Sequence, residues 1–137
     1  PTALAIAGKG FAHSILISAG DKRLVIDTLA RQKQKRSRKQ IHIMIFASLL
    51  FLLLKEQPLK GTTVYVDDEY PVYGGVIKDM VMTLLRAAGL EIDKHQIVIT
   101  LVGKESPSHE AAYGVFSGRR QPDKVISAVD IMAVLGK

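Results

Sequence analysis

Thr62-Thr63-Val64-Tyr65-Val66-Asp67-Asp68-Glu69-Tyr70 carries a β-branched run straight into three consecutive acids, in a chain that is otherwise basic. Thr63, Tyr65 and Asp67 alternate with Val64, Val66 and Asp68, so a strand over about 62–67 sends Asp67 to one face and Asp68 to the other. Asp67 then lies at a strand end, where ligands of α/β sheets tend to bind. The plainer reading is a strand that stops in a solvated acidic turn ahead of Pro71.

Downstream of this stretch, Val76, Ile77, Met80, Val81, Leu84, Leu85 and Ala88 recur at spacings of three and four, the period of a helix, and Gly89 closes it. Gln96 to Val102 is apolar enough for an interior strand, and Gly103-Lys104-Glu105-Ser106-Pro107 breaks it. Ser106 or Ser108 can cap a short helix that starts near Pro107 and carries His109, Glu110, Ala111, Ala112 and Tyr113. After the loop Gly118-Arg119-Arg120-Gln121-Pro122, the pattern from Asp123 to Leu135 predicts a last helix with Val125, Ile126, Val129 and Met132 or Ala133 inward.

Upstream, Ile41 to Leu54 is apolar on nearly every side except for His42 and Ser48, and Pro58 follows. A helix of that composition must be covered all round, which predicts a central element. The run is shorter than the ~20 apolar residues that a membrane span needs, so no membrane partner is expected. Leu4 to Ala7 reads as a first strand with small side chains on one face, closed by Gly8-Lys9-Gly10. His13 to Ala19 and Arg23 to Leu29 read as two further strands joined by a Gly20-Asp21 turn. His13 is expected to be a surface or packing residue, and His42 a structural one near the rim of the central helix.

The 137 residues suit one domain spanning 1–137 with a single core. There is no cysteine, which removes disulfides, thiolate zinc sites and thiol nucleophiles and fits a reducing, cytoplasmic setting. Pro1 to Gly10 lacks the basic-then-apolar layout of a signal peptide. The net charge of +6 comes from 19 Lys and Arg against 13 Asp and Glu, and Arg31, Lys33, Lys35, Arg36, Arg38 and Lys39 supply six of those cations with no acid among them. Removing these six leaves 13 against 13, so one short segment carries the entire excess. Such a run beside a neutral body is what phosphate backbones attract, and the adjacent Arg119 and Arg120, with Lys104, offer further places to hold phosphate.

Three antiparallel strands, a buried helix, a strand ending in Asp, a helix, a strand and terminal helices form an order that resembles the ribonuclease H-like superfamily. The likeness is one of topology across most of the chain. It implies an α/β fold with a mixed five-stranded sheet, three antiparallel strands first, a buried central helix and flanking helices. Tyr65-Val66-Asp67-Asp68-Glu69-Tyr70 is similar to that superfamily's fourth-strand segment, where a strand-end aspartate holds a catalytic metal. The resemblance therefore implies Asp67 as a catalytic residue and metal ligand, with His109 or Glu110, after the last strand, approaching the scissile phosphate. The sequence departs from the pattern at Ala7, where the first strand ordinarily carries an aspartate, and in the stretch from Arg31 to Lys55, which lacks the usual glutamate.

Two-metal phosphodiester hydrolysis needs crowded carboxylates neutralised by cations. Asp67 and Asp68, with Glu69, can supply a single Mg²⁺ or Mn²⁺ site with water. Three readings result, the third a protein–protein module whose basic loop is incidental. One is a metal-dependent nuclease that binds DNA or RNA through the basic segment and cuts it at Asp67. The alternative keeps the binding surface and does no chemistry, serving as a nucleic-acid-binding or assembly module. With no Trp and only four each of Phe and Tyr, a broad base-stacking platform is not expected and backbone contact is the more natural mode.

Overall fold

The computed structural model describes residues 1–8, 11–100 and 107–136. In chain order the elements are β1 (Thr2–Gly8), β2 (Phe11–Ile17), α1 (Ala19–Ala30), α2 (Arg38–Leu54), β3 (Val64–Asp67), α3 (Gly74–Ala87), a 3-10 turn (Lys94–Gln96), β4 (Ile97–Thr100), α4 (Pro107–Phe116), β5 (Lys124–Ile126) and α5 (Ala128–Leu135). The mixed α/β class expected from the sequence is what these elements form.

Helix α2 is the central element, as its composition requires. Ser37 starts it with a reciprocal cap: Ser37 Oγ accepts from the Gln40 N–H at 3.1 Å, and Gln40 Oε1 accepts from the Ser37 N–H at 2.7 Å. Beyond this cap apolar side chains occur on every side, and Ile45, Leu49, Leu53 and Leu54 are all but sealed from solvent. Helices α1, α3 and α5 pack against α2, and β1 and β2 lie beneath it. Ser48, the one polar residue deep in the helix, gives its hydroxyl to the Met44 carbonyl at 2.7 Å. Among the described residues no helix is long and apolar enough to cross a membrane.

The hairpin lies one element earlier than the sequence suggested. β1 pairs antiparallel with β2, from Thr2 opposite Ile17 to Gly8 opposite Phe11. Arg23 to Leu29, expected as a third strand, belongs to α1 instead. The reason is a cap that outweighs the apparent turn: Ser18 Oγ accepts from the Asp21 N–H at 3.1 Å and donates to Asp21 Oδ2 at 2.9 Å. Gly20-Asp21 thus opens a helix whose Val25 and Leu29, four apart, are fully buried.

The end of the chain is also rebuilt relative to expectation. Asp123 to Leu135 is not one helix, because Lys124–Ile126 pairs parallel with Ile15–Ile17 of β2 before Ser127 caps the shorter α5 through the Asp130 N–H. Val125 and Val129, expected inward, are 63 % and 76 % exposed, whereas Ile126 and Ile131 are fully buried.

Two sheets replace the expected sheet of five. Among the described residues the strand orders are β1-β2-β5 and β3-β4, the second a parallel pair joined through α3. Leu4 and Ile6 of β1 pack on the core that contains α2, so the pleat turns Ala3, Ala5 and Ala7 to the opposite face. There α4 lies across β1 and β2 with Ala111 and Val115 buried, and small side chains on β1 admit its close approach. One continuous apolar cluster runs from Ile15, Ile17 and Ile126 through α2 to Val64, Val66 and Ile97 and so joins the two sheets.

Candidate nucleic-acid interface

The six-cation segment is the connection from α1 to the start of α2. Arg31 caps the end of α1 through its backbone N–H, which donates to Asp27 O at 3.2 Å. Arg36 turns inward, and its guanidinium donates to Leu29 O at 3.3 Å, Gln32 Oε1 at 3.0 Å and Gln34 Oε1 at 3.2 Å. It therefore closes the loop on itself and adds a donor to Leu29 O at the end of α1, which the Gln32 N–H also reaches at 3.4 Å. Arg31, Lys33, Lys35, Arg38 and Lys39 are all exposed. A loop held at one end by a helix cap, in its middle by Arg36 and at the other end by the Ser37–Gln40 box presents these five cations on a fixed backbone.

The positive field reaches past the segment itself. The His42 imidazole, one turn into α2, is held below its ordinary value by burial and then by Lys22, Arg38 and Lys39. Lys22, from α1, is positioned by a 2.9 Å hydrogen bond to Thr2 Oγ1. His42 is half-buried, as its place near the rim suggested. Lys39 extends the field the other way, with Nζ 5.8 Å from the centre of the Tyr73 ring just ahead of α3.

That contact brings the basic segment beside the acidic stretch. Asp67 ends β3 opposite Thr100 of β4, on the outward face it shares with the exposed Tyr65. Asp68 follows the strand: its N–H donates to Thr100 O at 2.9 Å, and its Oδ1 is buried with no hydrogen-bond partner among the described residues. Tyr70 then rests edge-on against Phe46 of α2 at a ring separation of 5.3 Å, which ties the acidic turn to the central helix. Among the described residues no group of three or more His, Asp or Glu side chains is assembled that could hold a metal ion.

The remaining residues singled out in the sequence lie elsewhere. Glu110 is exposed on α4, a helix that among the described residues packs chiefly on β1 and β2. His109 falls in the first turn of α4, and its side chain, like all of Lys104, lies outside the described residues. Arg119 and Arg120 follow α4. The Arg119 guanidinium sits 5.2 Å over the Tyr113 ring and its Nε donates to Ser117 Oγ at 3.1 Å. The stem of Arg120 lies along Gly114, where an added Cβ would come 2.9 Å from Arg120 Cδ. Both arginines are exposed and positioned, but on the α4 side of the three-stranded sheet, away from the layer that carries the α1–α2 connection.

Two features had no signal in the sequence. A cleft of about 500 Å³ is lined by Lys60, Gly61, Arg86, Glu91, Ile92, Asp93, Lys94, His95 and Gln96. It lies at the start of β3 and β4, the end opposite Asp67, and draws on three separated segments that no local pattern links. The second is a polar knot at the β2–β5 junction. Asp123 Oδ2 accepts from the Ser14 N–H at 2.7 Å and from Ser14 Oγ at 3.2 Å, and stands 3.9 Å from His13 Nδ1. His13 thus has a packing role, as its isolation in the sequence suggested. Comparison with protein-family models, with curated proteins and with solved structures finds no match for this chain.

Proposed function

We infer that the chain binds the phosphate backbone of nucleic acid through the α1–α2 connection, with Arg31, Lys33, Lys35, Arg38 and Lys39 as the phosphate contacts and Lys22 and His42 behind them. A single observation carries this reading. The whole charge excess of the chain falls on one loop, and that loop is anchored so that five of its six cations face solvent while the sixth serves the fold. Contacts of this kind supply affinity and orientation without reading base order.

Binding rather than cutting is the reading we take, since the concentrated basic segment supports contact with phosphate and the sequence departs from the nuclease pattern at Ala7 and in the stretch from Arg31 to Lys55. Titration of a fluorescein-labelled duplex with the protein at several NaCl concentrations tests the proposal. Affinity that falls steeply with salt supports it, and absent or salt-insensitive binding overturns it. Mn²⁺-dependent cleavage of the same duplex, abolished by Asp67→Asn, would move the conclusion to the nuclease.

A further inference from the structure

The loop between β3 and α3 holds a side chain that the fold itself does not explain. The Tyr73 N–H donates to Tyr70 O at 3.0 Å, closing a turn with Pro71 second and Val72 third. Val72 has φ of +79°. Proline in the second place and a positive φ in the third describe a type II turn, whose third place ordinarily goes to glycine or asparagine. A β-branched residue there is strained. Val72 is also 96 % exposed, so no packing within the chain offsets the strain. Tyr73 and Val76, beside it, are 36 % and 51 % exposed and extend the apolar surface. Lys39 borders this patch at the Tyr73 ring.

We propose that Val72 and Tyr73 form a contact for an unpaired base, next to the phosphate contact at Lys39. The proposal rests on the backbone-binding reading and extends it to single-stranded nucleic acid. The neighbouring chemistry selects the occupant. Exposed apolar side chains beside an exposed cation match a nucleotide, in which a flat ring system and an anion are joined within one unit. Unpaired bases offer their faces to aromatic and apolar side chains without sequence preference, whereas a duplex must first be unstacked. A turn that keeps a strained valine in solvent is accounted for when that valine has a partner outside the chain.

Val72→Gly gives two readouts of opposite sign. Glycine relieves the positive φ, so the melting temperature rises, while the base contact is lost. The probes are a fluorescein-labelled oligothymidylate and a strand of equal length whose bases are replaced by abasic spacers. The wild type should bind the base-bearing strand about tenfold more tightly, the scale of one stacked base. Val72→Gly and Tyr73→Ala should each erase most of that preference and leave the salt slope unchanged. Equal binding of both strands by the wild type, with a steep salt dependence intact, overturns this proposal and leaves the backbone-binding reading standing. No salt-dependent binding of either strand overturns both. Concentration-dependent self-association in sedimentation, lost in Val72→Gly, would assign the patch to a second copy of the chain and overturn the base contact.

Discussion

If the α1–α2 connection holds phosphates, its six cations should not count equally. Arg36 spends its guanidinium on Leu29 O, Gln32 and Gln34, which leaves Arg31, Lys33, Lys35, Arg38 and Lys39 to displace counterions. At about 0.9 per neutralised phosphate, five contacts on duplex DNA give a log–log salt slope of about −4.5, or an affinity loss of roughly 500-fold between 50 and 200 mM salt. Replacing Lys33 and Lys35 together by glutamine should flatten the slope to about −2.7, a loss of roughly 40-fold over the same range. Arg36→Gln should instead leave the slope near its original value and lower stability by about 1 kcal/mol, through hydrogen bonds lost in a half-exposed setting. Fluorescence anisotropy across a NaCl series, with urea denaturation of each variant, separates the two effects. The reasoning is refuted if the Lys33 and Lys35 double variant keeps the full slope, or if Arg36→Gln flattens it as much as an exposed lysine does.

Three further outcomes are expected. Ser37→Ala removes the reciprocal cap of α2 without changing charge, and should cost about 1 kcal/mol in urea denaturation while the salt slope stays fixed. Ser48→Ala should be neutral or stabilising in the same measurement, because the lost hydroxyl bond is a local one to Met44 O and alanine is the better helix former. His42 has a lower pKa folded than unfolded, since burial and the cations Lys22, Arg38 and Lys39 disfavour its protonated form. Its contribution is therefore fully present above its ordinary value of 6.5 and is lost as the pH falls from there toward the folded value. Urea midpoints measured across that window should show the loss in the wild type and a flatter profile in His42→Gln.

How much was legible varies with the range of the signal. The three-and-four spacing over Val76 to Ala88, ended by Gly89, is satisfied within one helix, and α3 runs over Gly74–Ala87. The alternation from Val64 to Asp67 is a local signal that β3 follows, with Val64 and Val66 buried and Tyr65 exposed, and the charge run needed only counting. The start of α1 was also within reach of a local pattern. Ser18 and Asp21, three apart, carry a helix-start signature that competes with Gly20-Asp21 as a hairpin turn, and the cap prevails because it satisfies backbone donors that the turn would leave open.

Other features were beyond any local pattern. Lys124–Ile126 is a strand because Ile15–Ile17 lies open for parallel pairing, an arrangement made by residues more than a hundred positions away. The field of Lys22 on His42 and the approach of Lys39 to Tyr73 depend on how helices pack, not on spacing. What the amino-acid order determined by itself is a central apolar helix, an acidic strand end and one concentrated basic connection, since periodicity, alternation and charge are properties of neighbours along the chain. Tertiary structure alone decided that the strands divide into two sheets, that Lys39 meets the Tyr73 ring, and that Val72 stands in solvent. Those outcomes follow from pairings and burials between distant segments, whose energies no short window of sequence contains.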